Sequence, residues 1–447
     1  MNALLRRANA PIDIASLGAF RILYGTLMCV AAVRAMSTGW VEQVLVEPTF
    51  FFKYHFAPWM PVWSPAGLYV HLGLTALCAA LVALGLFYRV AIVGFLLGFT
   101  GLQLMDLTNY LNHYYLVVLL GILLAFMPAH RVFSLDVRRR PELRLDVAPA
   151  WTVGLLRFQL ACVYVFAALA KLTPDWLLHG QPLGIWLSSR TETPLIGALV
   201  ALPAAPMVMS WAGFLFDATI VFWLSWRRTR PIAYLVVVGF HGATGLLFDI
   251  GMFPLIMVAA TPIFFDPRWP RRLLGRRAPS LPARAPVGRL KRVGASTVGL
   301  WIALHVMMPL RHYALPGDVL WGEAGMRWSW KVLVRAKDGA VTFHVTDPAS
   351  GRRFMISPGR YLQPRQESEM AGQPDLIHQL ARHIAGDFAT RGMADVEVRA
   401  EARVSLNGRP TALLLDPTVD LAALDPDDIQ SAVRPMPTDP PLSMSTR

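Results

Sequence analysis

At 447 residues the chain has room for two or three soluble domains, but 55% of it is hydrophobic and only 16% is charged, against roughly a quarter charged in soluble domains. That balance excludes an ordinary soluble enzyme and fits a polytopic membrane protein. A net charge of +13 in a soluble protein would point to nucleic acid, so where the charge sits along the chain decides what it means.

The opening residues, MNALLRRANAPID, lack a short apolar core followed by a small-residue cleavage site, so the reading is that no signal peptide is removed and the first span is retained. Apolar segments follow over 12–36, 65–87, 89–107, 109–128, 149–172, 207–226, 231–247, 250–265 and 293–310. Their lengths predict an all-α membrane bundle of eight or nine transmembrane helices. The connections 131–146, 226–230 and 266–292 carry five, three and nine Lys or Arg, and Arg6, Arg7 and Arg89 bring that side to 20. The alternate connections carry four: Arg34, Lys53, Lys171 and Arg190. With nine spans the two sets fall on opposite faces, so the positive-inside rule predicts a multi-pass cell-membrane protein with a cytoplasmic N-terminus. The basic balance then reflects topology. The run Arg138-Arg139-Arg140 and the segment 266–292 read as orientation signals or lipid-headgroup contacts, with no nucleic-acid partner.

The same count puts everything after residue 311 on the extracytoplasmic side. AVTFHVTD alternates like a strand, PDLIHQLARHIAGDFATRG reads as an amphipathic helix ending at Gly, and VEVRAEARVSLNGRPTALLLD reads as a hairpin around Asn407-Gly408. The expected organisation is a helical bundle over 1–310, a small outer-face α+β domain over 311–425, and a disordered tail over 426–447, where five prolines stand.

Within the spans, RFQLACVYVFAALAKLTPDW carries Arg157, Tyr164 and Lys171 seven residues apart. Seven steps of about 100° return to within roughly 20° of the starting face, so the three form one polar stripe. Lys171 lies near the outer end, where a lysine also snorkels to the interface while Asp175-Trp176 mark the headgroup level. Arg157 is deeper, and Arg21 in LGAFRILYG poses the same problem in the first span. A buried arginine costs several kcal/mol unless it meets a partner or a wet cavity. Candidate partners are Asn112-His113, His241, Asp106, Asp217 and His305. Asn112, His113 and Lys171 share the outer ends of their spans, so one outward-facing pocket is geometrically reasonable. Cys29, Cys78 and Cys162 fall inside apolar runs as free thiols, and no metal motif, phosphate loop or nucleophile elbow is present.

The segments SLGAFRILYG, LNHYYLVVLLGILLAF, LLRFQLACVYVFAALAKLTPDW, FHGATGLLFDIGMFPLIMVAATPIFFDPRWPRRLL, RWSWKVLVRAKDGAVTFHV and LLLDPTVDL together resemble the vitamin K-dependent gamma-glutamyl carboxylases, within the wider group of HTTM-domain membrane proteins. They run in the family's order over roughly residues 12 to 425. The resemblance implies an enzyme that couples epoxidation of a reduced vitamin K (a phylloquinol- or menaquinol-type hydroquinone) by O2 to deprotonation of a peptide glutamate, which then takes up CO2; no metal is implied. AKLTPDW matches the family's initiating base at Lys171, which must be uncharged to act. Asn112-His113 match the pair that stabilises or protonates the reacting carboxylate, and His241 matches a quinone-bonding histidine. Arg190 or Arg157 would anchor the substrate carboxylate. Burial beside Arg157 would help to keep Lys171 neutral. Tyr164 on the stripe, Trp176 beside Lys171 and Arg21 in the first span are further candidates for substrate or quinone binding, read from their positions in the spans. Ala170 stands where the animal enzymes carry a second lysine.

The partners implied are membrane lipids and a glutamate-containing peptide on the outer face. The animal carboxylases continue well beyond LLLDPTVDL, so a clotting-factor-like substrate is not expected. The excess of Arg over Lys, with Ala and Pro richness, suggests a bacterial source. Two other readings stand beside this one: a non-catalytic quinone- or lipid-binding protein or transporter, and a quinol epoxidase that fixes no CO2.

Overall fold

The computed structural model describes residues 2–441 apart from 195, 283, 284, 286 and 287. Among the described residues seven helices are long and apolar enough to cross a membrane: α1 (Ala15–Ser37), α2 (Pro65–Leu84), α3 (Tyr88–Met105), α5 (Ala150–Ala170), α6 (Ala205–Ser225), α7 (Arg230–Leu247) and α9 (Arg292–Leu310, running on in 3-10 form to Ala314). Two apolar helices between them are shorter, α4 (Asn112–Phe126) and α8 (Phe253–Ala260, extended by a 3-10 turn to Phe264). The nine apolar segments of the sequence thus all become helical. By length, however, seven of them are candidate spans and two fall short of that length.

Local chemistry sets the helix ends. Ser64 caps α2, its hydroxyl accepting from the Gly67 amide at 3.3 Å with Pro65 in the first turn, and Gly85 closes the helix at φ 62°. A side chain at Gly85 would also meet the Arg21 guanidinium at 2.8 Å, so glycine serves both the turn and the approach. In α5 burial is greatest, 67% of its apolar window, whereas the corresponding value for α9 is 11%. α5 is therefore the central helix, and α9 lies at the rim with Val293, Leu300 and Met307 turned outward as a lipid-facing surface would require.

At one end of the bundle two short strands, β1 (Pro11–Asp13) and β2 (Val147–Pro149), pair antiparallel with Pro11 opposite Pro149. Arg271 locks them, its Nε donating to Asp13 at 2.9 Å and its terminal nitrogen to Asp146 at 3.0 Å.

At the other end sits a C-terminal α+β domain. Its sheet has the order β4-β3-β5-β6, all antiparallel, from β3 (Lys337–Thr346), β4 (Arg353–Ile356), β5 (Glu397–Leu406) and β6 (Ala412–Leu413). The long pairing is β3 with β5, from Lys337 opposite Leu406 to Thr346 opposite Glu397. Helices α10 (Pro364–Ala371) and α11 (Pro374–Thr390) cover it. Ile377, Leu380, Ala381, Ile384 and Phe388 form the apolar stripe of α11, in one core with Phe343, Val345, Val398, Ala400 and Val404.

Two expectations change. The hairpin around Asn407-Gly408 exists, with both residues at positive φ, but β6 contributes two residues and the main partner of β5 is β3. The tail is not disordered from residue 426: Pro426–Ala432 forms a 3-10 helix, and the Arg434 amide donates to the Leu414 carbonyl at 2.9 Å. Ile429 and Ala432 are buried, and that burial orders a segment whose prolines alone suggested a coil. Residues 442–447 of the expected tail lie outside the described residues.

Candidate functional site

Lys171 ends α5. Its amide donates to the Ala168 carbonyl at 3.0 Å, and Thr173 starts the next turn by accepting from the Trp176 amide at 3.3 Å. That turn keeps the Lys171 side chain inside the bundle, 5% exposed, where snorkelling would have left it at the surface. Its Nζ lies 2.8 Å from an Asp217 carboxylate oxygen on α6, 3.4 Å from the carbonyls of Ala167 and Val332, and 5.0 Å from the centroid of the Trp176 ring.

These groups line a small cavity of about 70 Å³ together with Tyr164, His241, Thr244 and Phe253. Tyr164 shares its hydroxyl with His241 Nε2 at 3.2 Å, and His241 Nδ1 is buried with no partner among the described residues. The Trp176 indole donates to the Ser210 carbonyl at 2.7 Å, which fixes the ring beside Lys171.

Asn112 and His113 stand at the start of α4 and line a second cavity of about 470 Å³, bounded by α1, α3 and the turn 249–253. Asn112 accepts from the Tyr110 hydroxyl at 3.0 Å and donates to the Lys331 carbonyl at 3.3 Å. His113 is buried, and a Cβ at Gly251, where φ 58° favours glycine, would lie 3.8 Å from its ring. Gln103 Oε1, also lining this cavity, has no partner among the described residues. The single pocket of the sequence reading is therefore two adjoining cavities with a shared wall of Ile250, Phe253, Val332 and Leu333.

The three arginines go elsewhere. Arg157 donates to the carbonyls of Ile263, Phe264 and Phe265 at 2.9 to 3.2 Å, closing the end of α8, and lines neither cavity. It is not the cation beside Lys171; the neighbouring charge is the opposite one, Asp217. Arg21 is fully buried and donates to the carbonyls of Val82, Ala83, Ala129 and Phe133. Backbone carbonyls thus supply the partners that each buried guanidinium needed. Arg190 pairs with the exposed Asp249 at 2.7 Å, and only Asp249 reaches the larger cavity.

Two contacts escaped the sequence reading. Asp217 was already a candidate partner for the buried cations, yet nothing in the sequence paired it with Lys171. Val332 and Leu333, within the segment RWSWKVLVRAKDGAVTFHV that carried part of the resemblance, line both cavities from the C-terminal domain, and nothing in that segment singled them out. Among the described residues no group of three or more His, Cys, Asp or Glu side chains has metal-holding geometry.

The HTTM domain family matches residues 9–269, and the vitamin K-dependent gamma-carboxylase lumenal domain family matches residues 290–437. No solved structure matches the chain.

Proposed function

The chain belongs to the HTTM-domain, vitamin K-dependent gamma-carboxylase family, and on that premise we propose that it is an integral membrane enzyme in which a reduced naphthoquinone is oxygenated to drive carboxylation of a peptide glutamate. The observation that carries the reading is the convergence of Lys171, Tyr164, Trp176 and His241 on one buried cavity, with Asn112 and His113 on its neighbour. In the proposed topology all nine apolar helices are membrane-embedded, the N-terminus is cytoplasmic, and the C-terminal domain faces the extracytoplasmic side and receives the peptide.

The residues present fit a lipid-soluble quinol. The larger cavity is mostly apolar and lies within the roughly 300–1,000 Å³ of small-molecule sites. The smaller one holds only a few water-sized molecules, so it suits O2, CO2 or the reacting end of the quinol. The unpartnered Nδ1 of His241 and Oε1 of Gln103 offer polar contacts to a bound ligand. Oxygenation of the quinol to its epoxide supplies a base strong enough to take a γ-proton that no side chain can remove near neutral pH.

Lys171 would accept the first proton, from a quinol hydroxyl. Asp217, 2.8 Å from its Nζ, would compensate the charge that Lys171 gains with that proton, so that no unpaired cation would be left in the dry cavity. His113, with Asn112 fixed beside it, would deliver a hydrogen bond or proton to the glutamate carboxylate, and Arg190 on the exposed loop would meet the incoming peptide.

One observation favours a rival. The closed Lys171–Asp217 contact is also what a structural ion pair looks like, as in a quinone-binding protein without turnover. Purified protein given reduced vitamin K or menaquinol, O2, labelled bicarbonate and a Glu-containing peptide separates the readings. Epoxide and fixed label, both lost in Lys171→Ala, are expected. Epoxide without label would leave a quinol epoxidase, and neither product across several quinols would leave the binding protein.

A further inference from the structure

Four residues after Lys171, the Asp175 carboxylate leaves the membrane bundle and enters the C-terminal domain. Arg409 grips it with both terminal nitrogens, each 2.6 Å from a different carboxylate oxygen, and Asn407 Nδ2 donates to Oδ2 at 2.9 Å. All three groups are withdrawn from solvent: the Arg409 and Asp175 side chains are 10% and 9% exposed, and Asn407 is fully buried. A two-pronged guanidinium–carboxylate contact fixes direction as well as distance.

The contact closes a ring that passes through the site. Asn407 Oδ1 accepts from the Ala336 amide at 2.9 Å and its Nδ2 also reaches the Val334 carbonyl at 3.4 Å. Two residues back along that segment, the Val332 carbonyl accepts from Lys171 Nζ. On the other arm Asp175 is followed by Trp176, whose ring lies against Lys171. The hairpin tip therefore holds both walls that the C-terminal domain and the 171–176 turn present to the amine. Asn407, at φ 53°, and Gly408, at φ 83°, give the tip the tight turn that brings both donors to one carboxylate.

We propose that Asn407 and Arg409 are positioning residues for the Lys171 amine, acting through Asp175, so that the C-terminal domain sets the orientation of a group belonging to the membrane bundle. What the amine does chemically rests on the functional reading above; its orientation by the hairpin does not.

The test is competitive labelling of Lys171 with acetic anhydride in the full-length protein in detergent, read by mass spectrometry against pH, with quinol epoxidation measured in parallel. Arg409→Ala and Asp175→Asn should each change the Lys171 labelling rate on the order of tenfold and move its pH midpoint, as displacement of a reacting group does. The double variant should be no worse than either single one, because both remove the same contact. Arg409→Lys should not restore the wild-type profile, whereas Asp175→Arg with Arg409→Asp should restore it in part.

An unchanged Lys171 profile in folded Arg409→Ala overturns the proposal. If that variant does not fold, Asn407→Ala removes a single prong and decides by the same criterion. Altered labelling in a protein whose wild type makes no epoxide would keep the positioning role and remove the enzymatic reading.

Discussion

The Lys171 amine nitrogen lies 2.8 Å from an Asp217 carboxylate oxygen, with the two side chains 6% and 8% exposed. A buried pair of this kind is worth little against an apolar replacement of both partners, but loss of one strands the other. Asp217→Asn should therefore destabilise the bundle by about 3 kcal/mol, read as a lowered thermal midpoint, because it leaves the buried Lys171 without its carboxylate. Lys171→Ala should lower quinol epoxidation by roughly 10²- to 10⁴-fold.

Tyr164 and His241 share one hydrogen bond at 3.2 Å. Tyr164→Phe leaves His241 Nε2 without that partner while keeping the ring, so quinone affinity should fall several-fold with the fold intact. His241→Ala should lose more, because it also removes Nδ1, which is buried without a partner among the described residues. Quenching of intrinsic tryptophan fluorescence by a titrated naphthoquinone gives both affinities, Trp176 being in the same cavity.

Arg21 serves four backbone carbonyls, two in the last turn of α2 and two on the connection that follows α4. Arg21→Met should cost on the order of 3 kcal/mol or more, since those acceptors stay buried. Arg21→Lys should not rescue it, because one compact ammonium cannot span the set. The yield of folded protein in detergent should drop in both variants, while the epoxidation rate per folded molecule stays at the wild-type level. A loss of rate without a loss of folded yield would return Arg21 to the site.

Ala32 on α1 lines the 470 Å³ cavity. Ala32→Phe would fill part of it, so KM for a quinol with a long isoprenoid tail should rise, with that for a ring-only naphthoquinol nearly unchanged. Equal effects on both substrates would mean that the tail lies elsewhere.

Lys337 in the C-terminal domain is pushed from its ordinary 10.5 down to about 8, by burial first, with Glu323 opposing and Arg335 assisting. Between those pH values the unfolded chain holds a proton that the folded one has released, so Lys337 makes stability rise with pH across that window. The rise has an upper bound of about 3 kcal/mol. Lys337→Met should abolish it, leaving Glu323 to Arg335; the difference between the thermal midpoints of wild type and variant from pH 7.5 to 10 measures it.

Much of the architecture was legible because hydropathy and period are local properties. The nine apolar segments, the amphipathic α11 and the strand around Phe343 all follow from them. The polar stripe of α5 was half right: Tyr164 and Lys171 share a cavity, while Arg157 turns to the carbonyls at the end of α8. Helical phase cannot tell which neighbour a long side chain will reach. The Lys171 contacts with Asp217 and Val332 and the Asp175–Arg409 grip were not legible, since they join segments 46 to 234 residues apart and depend on packing that no window of sequence contains.

The Arg271–Asp13 lock joins residues 258 positions apart. During synthesis, Asp13 must wait at the bundle end until more than half of the polypeptide has emerged, with β1 and β2 unsecured in the interval. This end of the bundle therefore stays open until Arg271 arrives, after the first eight apolar helices have been made. A chain truncated before that residue should remain a substrate for quality-control proteolysis, however many of its spans have been inserted.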